Sequence, residues 1–342
     1  EIAALPAATL DTLTAQQVPD ISTAALKGLS TADVFGLTST EAAVISTADL
    51  AVISSAQLGA LTPANFGLLT NAQLPTIGTA AIAGLHSSQL LTMTSVQAPV
   101  LTSQQLAAIT TAALAGLTPA DLGVLSVSAV AGLTSGQLAA LTTTQTASLS
   151  ATQVPVLSTA AFKGLTTAQA AALDSAQATA ISTADLAVIS SAQLGAITPA
   201  NFGLITPTRL AAIDTAAIHA LSSAQMAALT TAQAFAGLTS LQLPAISTAA
   251  LQGLMTAELA AIPTAVLVTL TKLQVPAITV ADVLQLTVTQ IPALTSTQIP
   301  FFTTAQLTGL GTAQLAAFTS VQIPSFTTLQ LSGFTDAQLH AL

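Results

Sequence analysis

The chain has 342 residues, a net charge of −9, only 5% charged side chains and no cysteine. Globular chains ordinarily carry about 25% charged residues, so Ser, Thr, Gln and Ala are expected to cover this surface. Four Lys and Arg in total exclude a nucleic-acid face, which needs clustered cations, and the lack of cysteine excludes disulfides and thiolate metal sites.

In chain order, an eight-residue unit begins at Leu5 and recurs at Leu13, Ile21, Leu29, Leu37 and Ile45. It keeps one register to Leu229, lengthens once to nine residues (229–237), then resumes at Leu238 and runs to Leu342. That makes 42 units, which we label a to h from the leading aliphatic residue. Residues 45–70 return 136 positions later as 181–206 with two changes, Leu61 to Ile197 and Leu69 to Ile205. No linker or composition shift interrupts the run, so residues 1–342 read as a single continuous array of octads. The chain does not begin with Met and carries no signal peptide, so it reads as a processed or partial segment. A mean hydropathy of +0.77 invites a membrane assignment. Spanning helices need about 20 mostly apolar residues, and polar residues interrupt every octad here.

Within the octad, b is Ser or Thr in 34 units and e is Gln, Glu, Asp or Asn in 32. This is the capping-box spacing, in which b accepts from the backbone three residues on and e reaches back. Pro63, Pro119, Pro199 and Pro207 fall at c, the first helical position, where no N–H is required. Nine prolines fall at g: Pro19, Pro75, Pro99, Pro155, Pro244, Pro276, Pro292, Pro300 and Pro324. There they remove a helical donor. Gly28, Gly36, Gly84, Gly116 and Gly164 fall at h, where a helix C′ residue would sit. Each octad is therefore expected to form one to two helical turns. The charges agree with this phase. Asp33, Glu41, Asp49, Asp121, Asp185, Glu258 and Asp282 at e, with Asp174 and Asp214 at b, lie near helix N-termini. Lys27, Lys163, His219 and His340 at g lie near C-termini. Arg209 at e breaks the pattern.

Helices this short are marginal alone and must stack. The sequence predicts an all-α solenoid of very short capped helices, with a β-solenoid as the alternative. The expected core is the a aliphatics, the f aliphatics (Leu26, Val34, Leu50, Leu58) and the d alanines (Ala24, Ala32, Ala48, Ala56).

No catalytic, cofactor-binding or metal-ligating constellation emerges, and an enzyme is not expected. His86, His219 and His340 are far apart in the register and read as solvated polar substitutions. Asp33, Glu41 and Asp49 occupy three successive units; they read as an exposed capping column in preference to a calcium site. No G-x-S-x-G elbow, phosphate loop or N-x-S/T sequon occurs. Paired hydroxyls at b and c (Ser22-Thr23, Ser30-Thr31, Thr110-Thr111, Thr142-Thr143, Thr166-Thr167) resemble the Thr arrays of antifreeze proteins, although b is already used as a cap. Trp and Tyr are absent, and Phe302, Phe318, Phe326 and Phe334 fall at a, which weighs against aromatic sugar stacking.

The octads at residues 165–172 (LTTAQAAA) and 221–228 (LSSAQMAA) resemble repeat tracts of giant secreted or surface adhesin-like (haemagglutinin-like) proteins of Gram-negative bacteria. The resemblance implies an extracellular or cell-surface structural role and offers no functional residues to carry over. Two functions are expected to compete. One is a self-assembling filament, sheath or surface-fibre subunit; the other is a passive stalk or binding module whose Ser/Thr/Gln face contacts carbohydrate, protein or ice. Neither needs nucleic acid, a membrane span or a small-molecule ligand.

Overall fold

A computed structural model of the chain describes Val18 and residues 22–342 apart from Met255. The leading residues Leu5, Leu13 and Ile21, and Pro19, lie outside the described residues. Among the described residues every regular element is helical and none is a strand, so the solenoid is all-α and the β alternative is excluded. The chain divides into two compact units, Glu1–Ala172 and Leu173–Leu342, both built on the octad.

Most of the described octads start as the sequence predicts, Thr206 being a b residue that makes no side-chain cap. In the helix Ser55–Ala60, the Ser54 side chain accepts from the Gln57 N–H, and the Gln57 side chain accepts from the Ser54 N–H. The prolines at c take the first turn of Pro63–Gly67, Pro119–Val124, Pro199–Phe202 and Pro207–Leu210. Helices run from four residues, as in Thr47–Leu50, to six, as in Thr31–Gly36.

A proline at g changes the element without moving the octad. In Thr79–Ile82 the g residue Ala83 donates to the Thr79 carbonyl at 3.3 Å, a bond that proline cannot make. Where g is Pro75 the octad forms a turn followed by a 3₁₀ helix, Leu74–Thr76. Its cap survives intact: Thr70 N–H donates to Gln73 Oε1 at 2.7 Å, and Gln73 N–H to Thr70 Oγ1 at 3.3 Å.

The core lies on a, e and f. Leu50, Leu58 and Leu90 at f are 0% exposed, and Ile45, Leu61 and Ile77 at a are buried. The d alanines are not in the core: Ala24, Ala32, Ala48 and Ala56 are all exposed. The geometry of a short helix explains this. Residues e and f stand one above the next a at spacings of four and three, hence on one face, while d lies two before f and points away. The third core column is the polar e position. Gln57, Gln89, Gln105, Gln137 and Gln169 in the first unit, and Gln225, Gln274, Gln306 and Gln330 in the second, are all buried. Glutamine at e therefore lines the interior, whereas Gln104, Gln252 and Gln285 at other positions are exposed.

Helices three octads apart pack on one another. Thr31–Gly36 lies on Ser55–Ala60 and Ser103–Ala108 on Val127–Val130. In the second unit Ser191–Ala196 lies on Thr215–Ile218 and Pro199–Phe202 on Ser223–Ala227. The nine-residue octad keeps this order because its extra residue is absorbed at a helix end. Gly237 N–H closes on the Gln233 carbonyl at 2.7 Å, and Leu238 re-enters the core at a.

This phase separates two neighbouring substitutions. Ile197 at a is buried, whereas Thr198 at b caps Asn201 at 3.3 Å. Ile197→Asp places an unpaired charge in the core and is expected to destabilise by several kcal/mol. Thr198→Ala loses one cap, worth about 1 kcal/mol. Urea midpoints of the two variants check this, and equal shifts would contradict the phase.

Candidate functional site: the amide column and the outer face

The buried e glutamines join one coil to the next. Gln105 Nε2 donates to the carbonyls of Leu74 and Ile77, both at 2.8 Å, which lie 31 and 28 residues earlier. Gln169 does the same to Leu138 and Leu141 at 2.7 Å, and Gln225 to Leu194 and Ile197 at 2.9 Å. The acceptors are the a residue of one octad and the f residue of the octad before it, or its g residue, as for Gln73, Gln97 and Gln233. One amide thus caps the carbonyl end of a helix, where backbone acceptors lack intrahelical partners. Because that joint falls between the fourth and third preceding octads, a coil contains between three and four octads. After the nine-residue octad the same bridge spans 32 and 29 residues, from Gln242 to Leu210 and Ile213.

Gly84, Gly116 and Gly164 stand at C′, one residue past the C-caps Ala83, Ala115 and Lys163, whereas Gly28 and Gly36 are the last residues of their helices. No described glycine has a positive φ; the N–H groups of Gly84, Gly116 and Gly164 close a tight turn on the carbonyls of Ala81, Ala113 and Ala161 at 2.8, 2.9 and 2.8 Å. The h glycines serve close approach. A Cβ on Gly84 would stand 2.0 Å from the Ser55 carbonyl oxygen, on Gly116 2.0 Å from that of Ser87, and on Gly164 2.1 Å from that of Ser135. In the second unit Gly253 meets Ser223 at 1.9 Å. Six of the seven octads with alanine at e end in glycine, so the two features form one device. Where no amide bridges the coils, bare backbone packs directly on the coil beneath.

Shorter and charged residues at e depart from the amide bridge. Asn65 reaches only Leu37, at 2.7 Å, and Asn201 only Leu173, at 2.6 Å. Arg209, the exception to the charge pattern, donates its guanidinium to the Thr179 carbonyl and so replaces an amide donor. The acids at e are not an exposed column. Glu41, Asp49, Asp121, Asp185, Glu258 and Asp282 are buried, and only Asp33 is half-buried. Each of the three successive acids is engaged by its own cap: Asp33 by the Ser30 N–H and hydroxyl, both at 2.8 Å, Glu41 by the Thr38 N–H and hydroxyl, both at 2.7 Å, and Asp49 by the Ser46 hydroxyl at 2.7 Å. Among the described residues no three His, Asp or Glu side chains come together to hold a metal. His86, His219 and His340 are exposed; the rings of the latter two face the carbonyls of Ala245 and Asp336.

No protein-family model matches the chain, and a comparison with curated proteins gives no match. The outer face is therefore described from its own residues. The paired hydroxyls at b and c divide. Those at b turn inward to the caps, as Thr110 does to the Ala113 N–H at 3.1 Å and Thr142 to the Gln145 N–H at 3.1 Å. Those at c, including Thr23, Thr31, Thr111, Thr143 and Thr167, are exposed. Beside them at d are mostly alanine methyls. The most exposed large apolar side chains among the described residues, Leu241, Leu273, Val321 and Leu329, also stand at d, between 68% and 75% exposed. Among the described residues no helix is long and apolar enough to cross a membrane.

Proposed function

We propose that the protein is a structural, self-assembling subunit of an extracellular filament, sheath or surface fibre, without catalysis. The observation that carries this reading is the outer face. Six of the thirteen acids are withdrawn into the core at e, so the surface carries less charge than the already low composition implies. Net surface charge is what ordinarily keeps proteins apart in solution. In its place stand repeated c hydroxyls, d methyls and largely exposed leucine and valine side chains at d. A repeated face offers the same contact to a neighbour many times over, so weak contacts sum along its length.

Sedimentation velocity over a wide concentration range tests the reading. Growth into species larger than the monomer, strengthened by salt that favours apolar contact, is the expected result. A single monomeric boundary throughout would contradict it. Leu241→Glu and Leu273→Glu, both on the exposed d face, are expected to oppose assembly without lowering the melting temperature.

A further inference from the structure

Three devices tie an octad into the stack. The b side chain caps its helix, the e amide reaches the coil beneath, and an h glycine lets bare backbone pack on that coil. Elsewhere among the described residues, where one device lapses another stands in. Ala113 and Ala129 bring no amide, yet Gly116 and Gly132 pack on Ser87 and Ser103. Asp121 between them receives the Thr118 hydroxyl at 2.6 Å. In the second unit Ala250 is likewise paired with Gly253, which packs on Ser223.

All three devices lapse together in two successive octads of the second unit, 254–261 and 262–269. Their b residues are Met255, which has no hydroxyl, and Pro263, which makes no side-chain cap. Their h residues are Ala261 and Thr269, in place of glycine. At e stand Glu258 and Val266, both buried, and neither a carboxylate nor an isopropyl group has an N–H to give. The last amide bridge before the gap is Gln242, and the bridges resume at Gln274. These donate to the Ile213 and Ile246 carbonyls, both at 2.8 Å. The same spacing sets the Leu229 and Leu238 carbonyls beneath Glu258 and Val266. Glu258 moreover keeps Oε2 buried without a hydrogen-bond partner. The coil beneath contains the nine-residue octad, whose helix Thr231–Ala236 packs on Thr256–Ala261.

We infer that the joint beneath residues 254–269 is a built-in opening point of the second unit. Stability in a stacked array is a sum over neighbouring interfaces, so opening starts where the fewest bonds cross from coil to coil. Leu259, Ile262 and Leu267 are buried and hold the joint closed by apolar packing in the folded state. The octads above stay attached to this segment, because Gln290 donates to Leu259 and Ile262, and Gln298 to Leu267 and Leu270. The joint therefore parts one stack of coils from another and leaves each stack bridged within itself.

Hydrogen–deuterium exchange of the full chain, read by mass spectrometry of peptic peptides, tests this. Peptides from 229–245 and 254–269, on the two sides of the joint, are expected to exchange about tenfold faster than those from 286–309, a ratio that one missing bond to a buried group supplies. Glu258→Gln keeps the side-chain length and adds the missing amide, and is expected to slow exchange on both sides of the joint. Ala265→Gln, at an exposed d position of the same segment, is expected to leave it unchanged. Exchange no faster at the joint than in 286–309, or a Glu258→Gln chain that exchanges as the parent does, would overturn the proposal.

Discussion

Gly116→Ala is expected to destabilise the first unit by about 1–3 kcal/mol, although local propensity argues for the opposite sign. Alanine is favoured over glycine in helical backbone by roughly 0.5–1 kcal/mol. The Cβ it adds would stand 2.0 Å from the Ser87 carbonyl oxygen and 2.7 Å from its carbonyl carbon. Both are backbone atoms of the coil beneath, so relief requires the coils to separate. Gly136 supplies the contrast. It lies in the helix Ser135–Ala140 with nothing within 4 Å of an added Cβ. Gly136→Ala is therefore expected to stabilise by about 0.5–1 kcal/mol. Urea denaturation of the pair reads both signs in one experiment, and stabilisation by both would refute the direct coil-to-coil contact.

Gln105→Leu is expected to cost about 3 kcal/mol or more, at about 1–3 kcal/mol for each of three polar groups left unpaired. The leucine fills a similar volume, so the loss is polar. The Ile77 and Leu74 carbonyls lose their 2.8 Å donor, and the Thr102 N–H loses the Oε1 acceptor at 3.1 Å. Thr102→Ala removes only the hydroxyl cap on the Gln105 N–H at 3.2 Å and should cost about 1 kcal/mol. On a surface capping column the two variants would be similar. In a core column the glutamine variant is much the worse, and denaturation midpoints separate the two cases. A Gln105→Leu chain as stable as the parent would contradict the inter-coil amide bridge.

Features set by the nearest few residues were legible in the sequence. The capping boxes follow from the b and e spacing, the prolines at c mark first turns, and the a and f aliphatics such as Ile45 and Leu50 are buried as their periodicity requires. Features set by a residue 24 to 32 positions away were not, because the coil length is not written in any single octad. Gln105 reads as a surface helix residue until Leu74 and Ile77 are placed beneath it. Gly116 reads as a C′ glycine and nothing more until Ser87 is. The d alanines were misplaced for a simpler reason: in a helix of four to six residues only one short arc faces inward, and e and f occupy it. One sequence signal could have revealed the coil packing. Alanine at e recurs with glycine at h, as in residues 77–84 and 109–116, and no rule of isolated helices links those two positions.

In the self-assembly we propose, the repeated, nearly uncharged face meets further copies of the chain. Negative-stain electron microscopy of the purified chain at rising concentration is the most direct test of that assembly. Filaments or sheets with a regular repeat, appearing as concentration increases, are the predicted result. Separate particles of monomer mass at every concentration would contradict it.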